Sequence, residues 1–202
     1  MHRKVLYLLL FSTIFLISIG FSTMGPEERT LGTNVRSVYL HGAWVWTALL
    51  SFIAAGVIGL FAILFHRDTL HAWSIALGRA GTVFWITYLP LSLWTMQMNW
   101  NGLFLQEPRW RVSFDFLIVG ILIQLAILVI QKPWIGSILN LTYISALCWT
   151  LLRTDQVMHP GSPITSSDSY TIQTFFAILI VLCTLSSWFL ANWFRTLTPN
   201  SQ

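Results

Sequence analysis

Two histidines carry the strongest chemical suggestion in this chain: His41, in Val35-Arg36-Ser37-Val38-Tyr39-Leu40-His41-Gly42-Ala43-Trp44, and His159, in Val157-Met158-His159-Pro160-Gly161. Neutral imidazoles are good iron ligands, and two of them could fill both axial positions of one haem. Aromatic rings could then cover the flat apolar macrocycle, and arginines could form charge-assisted bonds to its propionates. Arg36, Tyr39 and Trp44 stand beside the first histidine, and Trp100, Arg109, Trp110 and Arg111 share another segment. A single histidine at a membrane surface is more often a snorkelling polar residue. Tryptophans also gather at such surfaces for their own reasons. Residue chemistry alone therefore leaves a ligand pair and a plain interfacial belt both open.

What must position these side chains follows from composition. Of 202 residues, 55% are hydrophobic and only 9% charged, far below the quarter or so typical of soluble domains. An all-α integral membrane protein is the expectation. A helix needs about 20 mainly apolar residues to cross the hydrocarbon core. Six stretches qualify: Val5–Phe21, Val38–Phe65, Ala72–Met96, Val112–Ile130, Ile135–Leu152 and Tyr170–Trp193. Short connections, with no internal repeat or separate soluble segment, predict one polytopic domain over residues 1–202, a bundle of six transmembrane helices.

Orientation is read from Lys and Arg, which are retained on the cytoplasmic side of short loops. With both termini cytoplasmic, the inner segments hold Arg3, Lys4, Arg67, Arg79, Lys132 and Arg195 against Asp68 alone. The outer segments hold Arg29, Arg36, Arg109, Arg111 and Arg153 among Glu27, Glu28, Glu107, Asp115, Asp155 and Asp168. This arrangement puts His41 and His159 on one outer face. The first apolar run is longer than a usual signal core and ends at Gly20-Phe21-Ser22-Thr23 without a small-x-small site, so it is expected to remain as a helix. The net charge of +4 forms no dense basic stripe, which argues against nucleic acid as a partner.

Other polar residues suggest less. Cys148 and Cys183 lie within apolar helices, without Cys-x-x-Cys or metal-ligand spacing. His66 and His71 are expected in a solvated turn, their spacing placing them on different helix faces. Asp115 is expected to pair with Arg111 one turn earlier, Arg79 to snorkel towards the inner surface, and Pro90 to kink the third helix. No serine, thiol or carboxylate constellation suits covalent or acid–base catalysis, so a carrier or scaffold is expected rather than an enzyme.

The residues also resemble a family, the haem-handling proteins of bacterial cytochrome c maturation of the CcmC type. Those proteins carry Arg-x-x-Tyr-x-His-Val-Pro-x-Ala-Trp entering the second of six helices, and Arg36, Tyr39, His41, Ala43 and Trp44 look like that element, shortened after the histidine. They carry a Leu-His-Pro/Gln-Gly element before the last helix, which Met158-His159-Pro160-Gly161 resembles. Their tryptophan-rich outer loop contains Trp-Asp. Here Trp100, Trp110 and Arg111 occupy the corresponding place, with Glu107-Pro108-Arg109 where Trp-Asp-x-Arg is expected. The resemblance implies that His41 and His159 are axial ligands of a haem b held at the outer face of a bacterial inner membrane. It further implies transfer of that haem to a partner during cytochrome c maturation. The eroded tryptophan motif keeps a second expectation alongside: a fixed haem-bearing or structural subunit of a larger respiratory or photosynthetic membrane complex.

Overall fold

The structure, a computed structural model, describes residues 2–155, 164 and 166–197. Its elements are α1 (His2–Ser22), α2 (Val35–Phe65), α3 (Asp68–Trp100), α4 (Pro108–Ile130), α5 (Pro133–Arg153) and α6 (Tyr170–Leu197). His159 lies outside the described residues.

Helix ends follow local chemistry. Both α4 and α5 open on proline, whose missing N–H would be unpaired at a first turn anyway. The Glu107 carboxylate caps α4 by accepting from the Trp110 amide at 2.7 Å. Helices α2, α3 and α4 stop where His66, Asn101 and Gln131 turn left-handed, with φ of 53°, 52° and 55°. Helix α3 runs unbroken through Pro90.

Neighbouring helices run antiparallel. Cross-links along α2 and α3 pair Ser37 with Asn99, Trp44 with Thr87 and Ala55 with Ser74. Helix α6 lies parallel to α2, with Phe176 against Gly42 and Ser187 bonded to Ser51. We call the end where α2, α4 and α6 begin the near end, and the end where α1, α3 and α5 begin the far end. Small residues set the spacing between helices, as is common in membrane bundles. A Cβ placed on Gly56 would meet Ile144 at 2.6 Å, and one on Gly81 would meet Phe52 at 2.8 Å.

Five helices are long and apolar enough to cross a membrane: α1, α2, α4, α5 and α6. The chain is thus a multi-pass membrane protein by length and composition. The third expected span, Ala72–Met96, forms a helix of 33 residues but falls outside that set. Arg79, Gln97 and a scatter of Ser, Thr and Trp lower its hydropathy. Several of those polar groups meet partners on other helices: Ser74 bonds the Ala55 carbonyl and its own carbonyl accepts from Asn140, while Trp85 and Tyr88 bond Ser113. The other elements match expectation to within a few residues at each end.

Candidate functional site

At the near end, three helices converge on His41. Its ring, half-buried on α2, lies 5.2 Å from that of Tyr88 on α3. The Tyr88 hydroxyl donates to Ser113 Oγ on α4 at 3.1 Å, and Ser113 Oγ donates in turn to the Arg109 carbonyl at 2.8 Å. Trp85 Nε1 adds a bond to the Ser113 carbonyl at 3.0 Å. Ser113 is therefore the joint through which α3 carries Tyr88 against both His41 and the start of α4. The histidine is braced by an aromatic ring whose hydroxyl is anchored to Ser113.

The neighbours of His41 in sequence do different work. Arg36 Nε donates to the Gly25 carbonyl at 3.1 Å, and the Tyr39 hydroxyl donates to the Pro26 carbonyl at 3.0 Å. Tyr39 is fully buried between Gly25 and the rings of Phe175 and Phe176. These two residues tie the α1–α2 connection and the first turns of α6 onto α2. Trp44 is also buried, packed against Phe15 and Phe84, with Nε1 donating to Thr87 Oγ1 at 3.0 Å. The connection itself is folded around Glu28, whose carboxylate accepts from the Thr30 hydroxyl and from the Thr30 and Leu31 amides. The Thr30 hydroxyl, ahead of those amides, holds the Glu28 carboxyl below its ordinary pKa.

The α3–α4 connection forms an apolar shelf at the same end. Leu103, Phe104 and Leu105 are exposed, beside Trp94 and Met98 at the end of α3. Trp100 packs edge-on against Phe104, and Trp110 stacks on Phe114. Arg111 is exposed and turns back to Gln106 Oε1 at 3.3 Å instead of reaching Asp115, correcting the expected ion pair. Glu107 is 2% exposed, and its negative charge at the α4 N-terminus is favoured by the helix dipole.

The α5–α6 connection, which carries His159, leaves α5 at Arg153 and joins α6 at Tyr170, and both points are at the near end. Beside it a groove of about 460 Å³ runs between α2 and α6, lined by Trp46, Ile164, Gln173, Phe176, Ala177 and Ile180. Trp46 follows His41 by five positions, which turns it roughly 140° around the helix. The groove therefore opens on a different side of α2 from His41.

A second polar cluster, at the far end, was not expected. His71 is buried, not solvated, with Nδ1 2.7 Å from Ser137 Oγ on α5. Asn140 Nδ2 donates to the Ser74 carbonyl at 3.0 Å and Gln124 Nε2 donates to Asn140 Oδ1 at 3.3 Å, joining α3, α4 and α5. Among the described residues, no three His, Cys, Asp or Glu side chains form a metal-binding group. Tyr88 and Ser113 were likewise missed as partners of His41. Only the Glu107-Pro108 helix start had a local signal that could have found it. Compared with known proteins, the sequence matches no family model and no curated protein.

Proposed function

We propose that this chain is a six-span membrane protein that holds a b-type haem at its near end and passes it on during cytochrome c maturation. The carrying observation is the half-exposed His41, braced by Tyr88 at the end of the bundle where the His159-bearing connection leaves α5 and enters α6. The residues there suit the group chemically. An imidazole can ligate iron, exposed Leu103, Phe104 and Leu105 with Trp94 can cover an apolar ring, and Arg109 and Arg111 can pair with its carboxylates. Bound haem would supply a redox-active iron whose properties depend on its axial ligands. In this reading His41 and His159 would be the residues that ligate the iron, while Tyr88 and Ser113 fix the His41 ring. Arg36, Tyr39 and Trp44 support the pocket from behind.

That α3 also crosses the membrane is supported by register. It runs beside α2, a candidate span, from Ser37–Asn99 to Ala55–Ser74. Six cations against one acid at the far end support a cytoplasmic far end, hence both termini inside a bacterial inner membrane. The partners in this reading are a haem-receiving membrane or surface protein and the lipid bilayer.

A second reading, a fixed haem-bearing or structural subunit of a respiratory or photosynthetic complex, is favoured by one observation. Arg36, Tyr39 and Trp44 are engaged within the chain, as in a purely structural helix entry. Optical spectra of detergent-purified protein, oxidised and dithionite-reduced, separate haem binding from a cofactor-free role. A sharp b-type α band, weakened in both His41→Ala and His159→Ala, is the expected result. Absence of haem from the wild type after supplementation overturns the ligand assignment. Co-purification then distinguishes transient transfer from a stoichiometric complex.

A further inference from the structure

Arg79 is the one cation placed well inside a helix, about three turns in from the far end of the bundle. It sits eleven residues beyond Asp68, the first residue of α3, and its side chain is half-buried. Its depth can be read against α5, a helix apolar enough to cross the membrane. The preceding residue, Gly78, lies level with Asn140, since a Cβ at Gly78 would come within 2.7 Å of Asn140 Oδ1. Asn140 is seven residues into α5, or roughly 10 Å from its far end at 1.5 Å per residue. Lys132 and the exposed Trp134 mark the membrane surface at that end.

A guanidinium at this depth stays charged and must find an acceptor. This chain offers no carboxylate side chain within reach. Of its seven acids, Glu27, Glu28, Glu107, Asp115, Asp155 and Asp168 belong to the near end. The seventh, Asp68, is about 16 Å away along the same helix. Among the described residues no hydrogen bond or ion pair engages the Arg79 guanidinium either. Side chains on a helix lean towards its N-terminus, and the N-terminus of α3 is at the far end. The long stem of Arg79 is thus directed out towards the nearer membrane surface, where lipid phosphates lie.

We infer that Arg79 is a binding site for the phosphodiester of a membrane lipid in the leaflet at the far end, with an anionic headgroup preferred. The preference comes from the whole end: Arg3, Lys4, Arg67, Arg79, Lys132 and Arg195 stand there against Asp68 alone, so the surrounding field attracts anionic lipid. A carboxylate from a partner protein would satisfy the same charge. The outward lean of the side chain and the basic rim favour the headgroup. The inference rests on α5 crossing the membrane and is independent of any haem.

Native mass spectrometry of the full-length protein in detergent, titrated with phosphatidylglycerol, tests this. Wild type should retain one tightly bound lipid. Arg79→Gln should bind it about fivefold more weakly, the scale of one cation near an anionic surface. Arg79→Lys should stay close to wild type, and Arg153→Gln, at the near end, should be unchanged. Millimolar inorganic phosphate should leave the adduct in place. Wild-type lipid retention by Arg79→Gln, or displacement by inorganic phosphate, would overturn the site. Should Arg79→Gln fail to fold, wild type alone decides: phosphatidylglycerol carrying a photoreactive group near its glycerol should label α3 around Arg79, and labelling confined elsewhere rejects the proposal.

Discussion

Tyr39 is where the local sequence and the packed structure part company. Its position two residues before His41 suggests a pocket role, but its hydroxyl is committed to the Pro26 carbonyl and its ring to Gly25, Phe175 and Phe176. Tyr39→Phe should therefore lower stability by about 0.5–1.5 kcal/mol, the net worth of one hydrogen bond, while leaving any haem spectrum unshifted. Thermal unfolding in detergent, read beside the reduced spectrum, checks both halves of that expectation. Glu107→Ala should cost about 1 kcal/mol by uncapping α4, seen as lower thermal stability in the same assay. That cap was open to sequence reading, because Glu-Pro ahead of an apolar run is a local signal. The Tyr88–His41 contact was not, since the two residues lie on different helices and nothing in either neighbourhood names the other.

Among the elements, α3 is the most informative. Its sequence is the least apolar of the long helices apart from its ends, yet it lies between α2, α4, α5 and α6. A polar residue here answers to a partner on another helix: Ser74 to Ala55 and Asn140, Trp85 and Tyr88 to Ser113. Glycine at position 78 is required by the same logic. The Asn140 amide is held by Ser74 and Gln124, so it has little freedom to move from the path of a new methyl group. Gly78→Ala should destabilise by about 1–3 kcal/mol through overpacking, and Gly78→Ala combined with Asn140→Ala should recover part of that loss. A double-mutant cycle in thermal denaturation measures it. Gly78 is not in the left-handed region of backbone space, so only the packing makes it special.

For the whole molecule, the central expectation is that α3 crosses together with the five apolar helices. Single cysteines placed at Thr33 and Asn101 should react with an impermeant thiol reagent from one side of the membrane, and those at Arg67 and Lys132 from the other, in a background with Cys148 and Cys183 replaced. Reaction of the Arg67 and Asn101 positions from the same side would show that α3 does not traverse. The alternation also fixes where charge collects, with the far end strongly basic and the near end close to balanced. In the proposed topology that asymmetry places the far end on the cytoplasmic side and supplies the field in which Arg79 would meet a lipid phosphate.

By itself, the sequence determined that the chain is a helical membrane protein, and it placed the helices to within a few residues. Apolar runs, prolines at helix starts and charged connections act over a turn or two, so each segment declares itself without its neighbours. Only the tertiary structure decided that His41 faces Tyr88, that Arg36 and Tyr39 bind the α1–α2 connection, and that His71 is buried against Ser137. These contacts depend on which helix faces which and at what register. That register is set by the fit of glycines and serines against larger side chains far away in the sequence, where no local pattern records it.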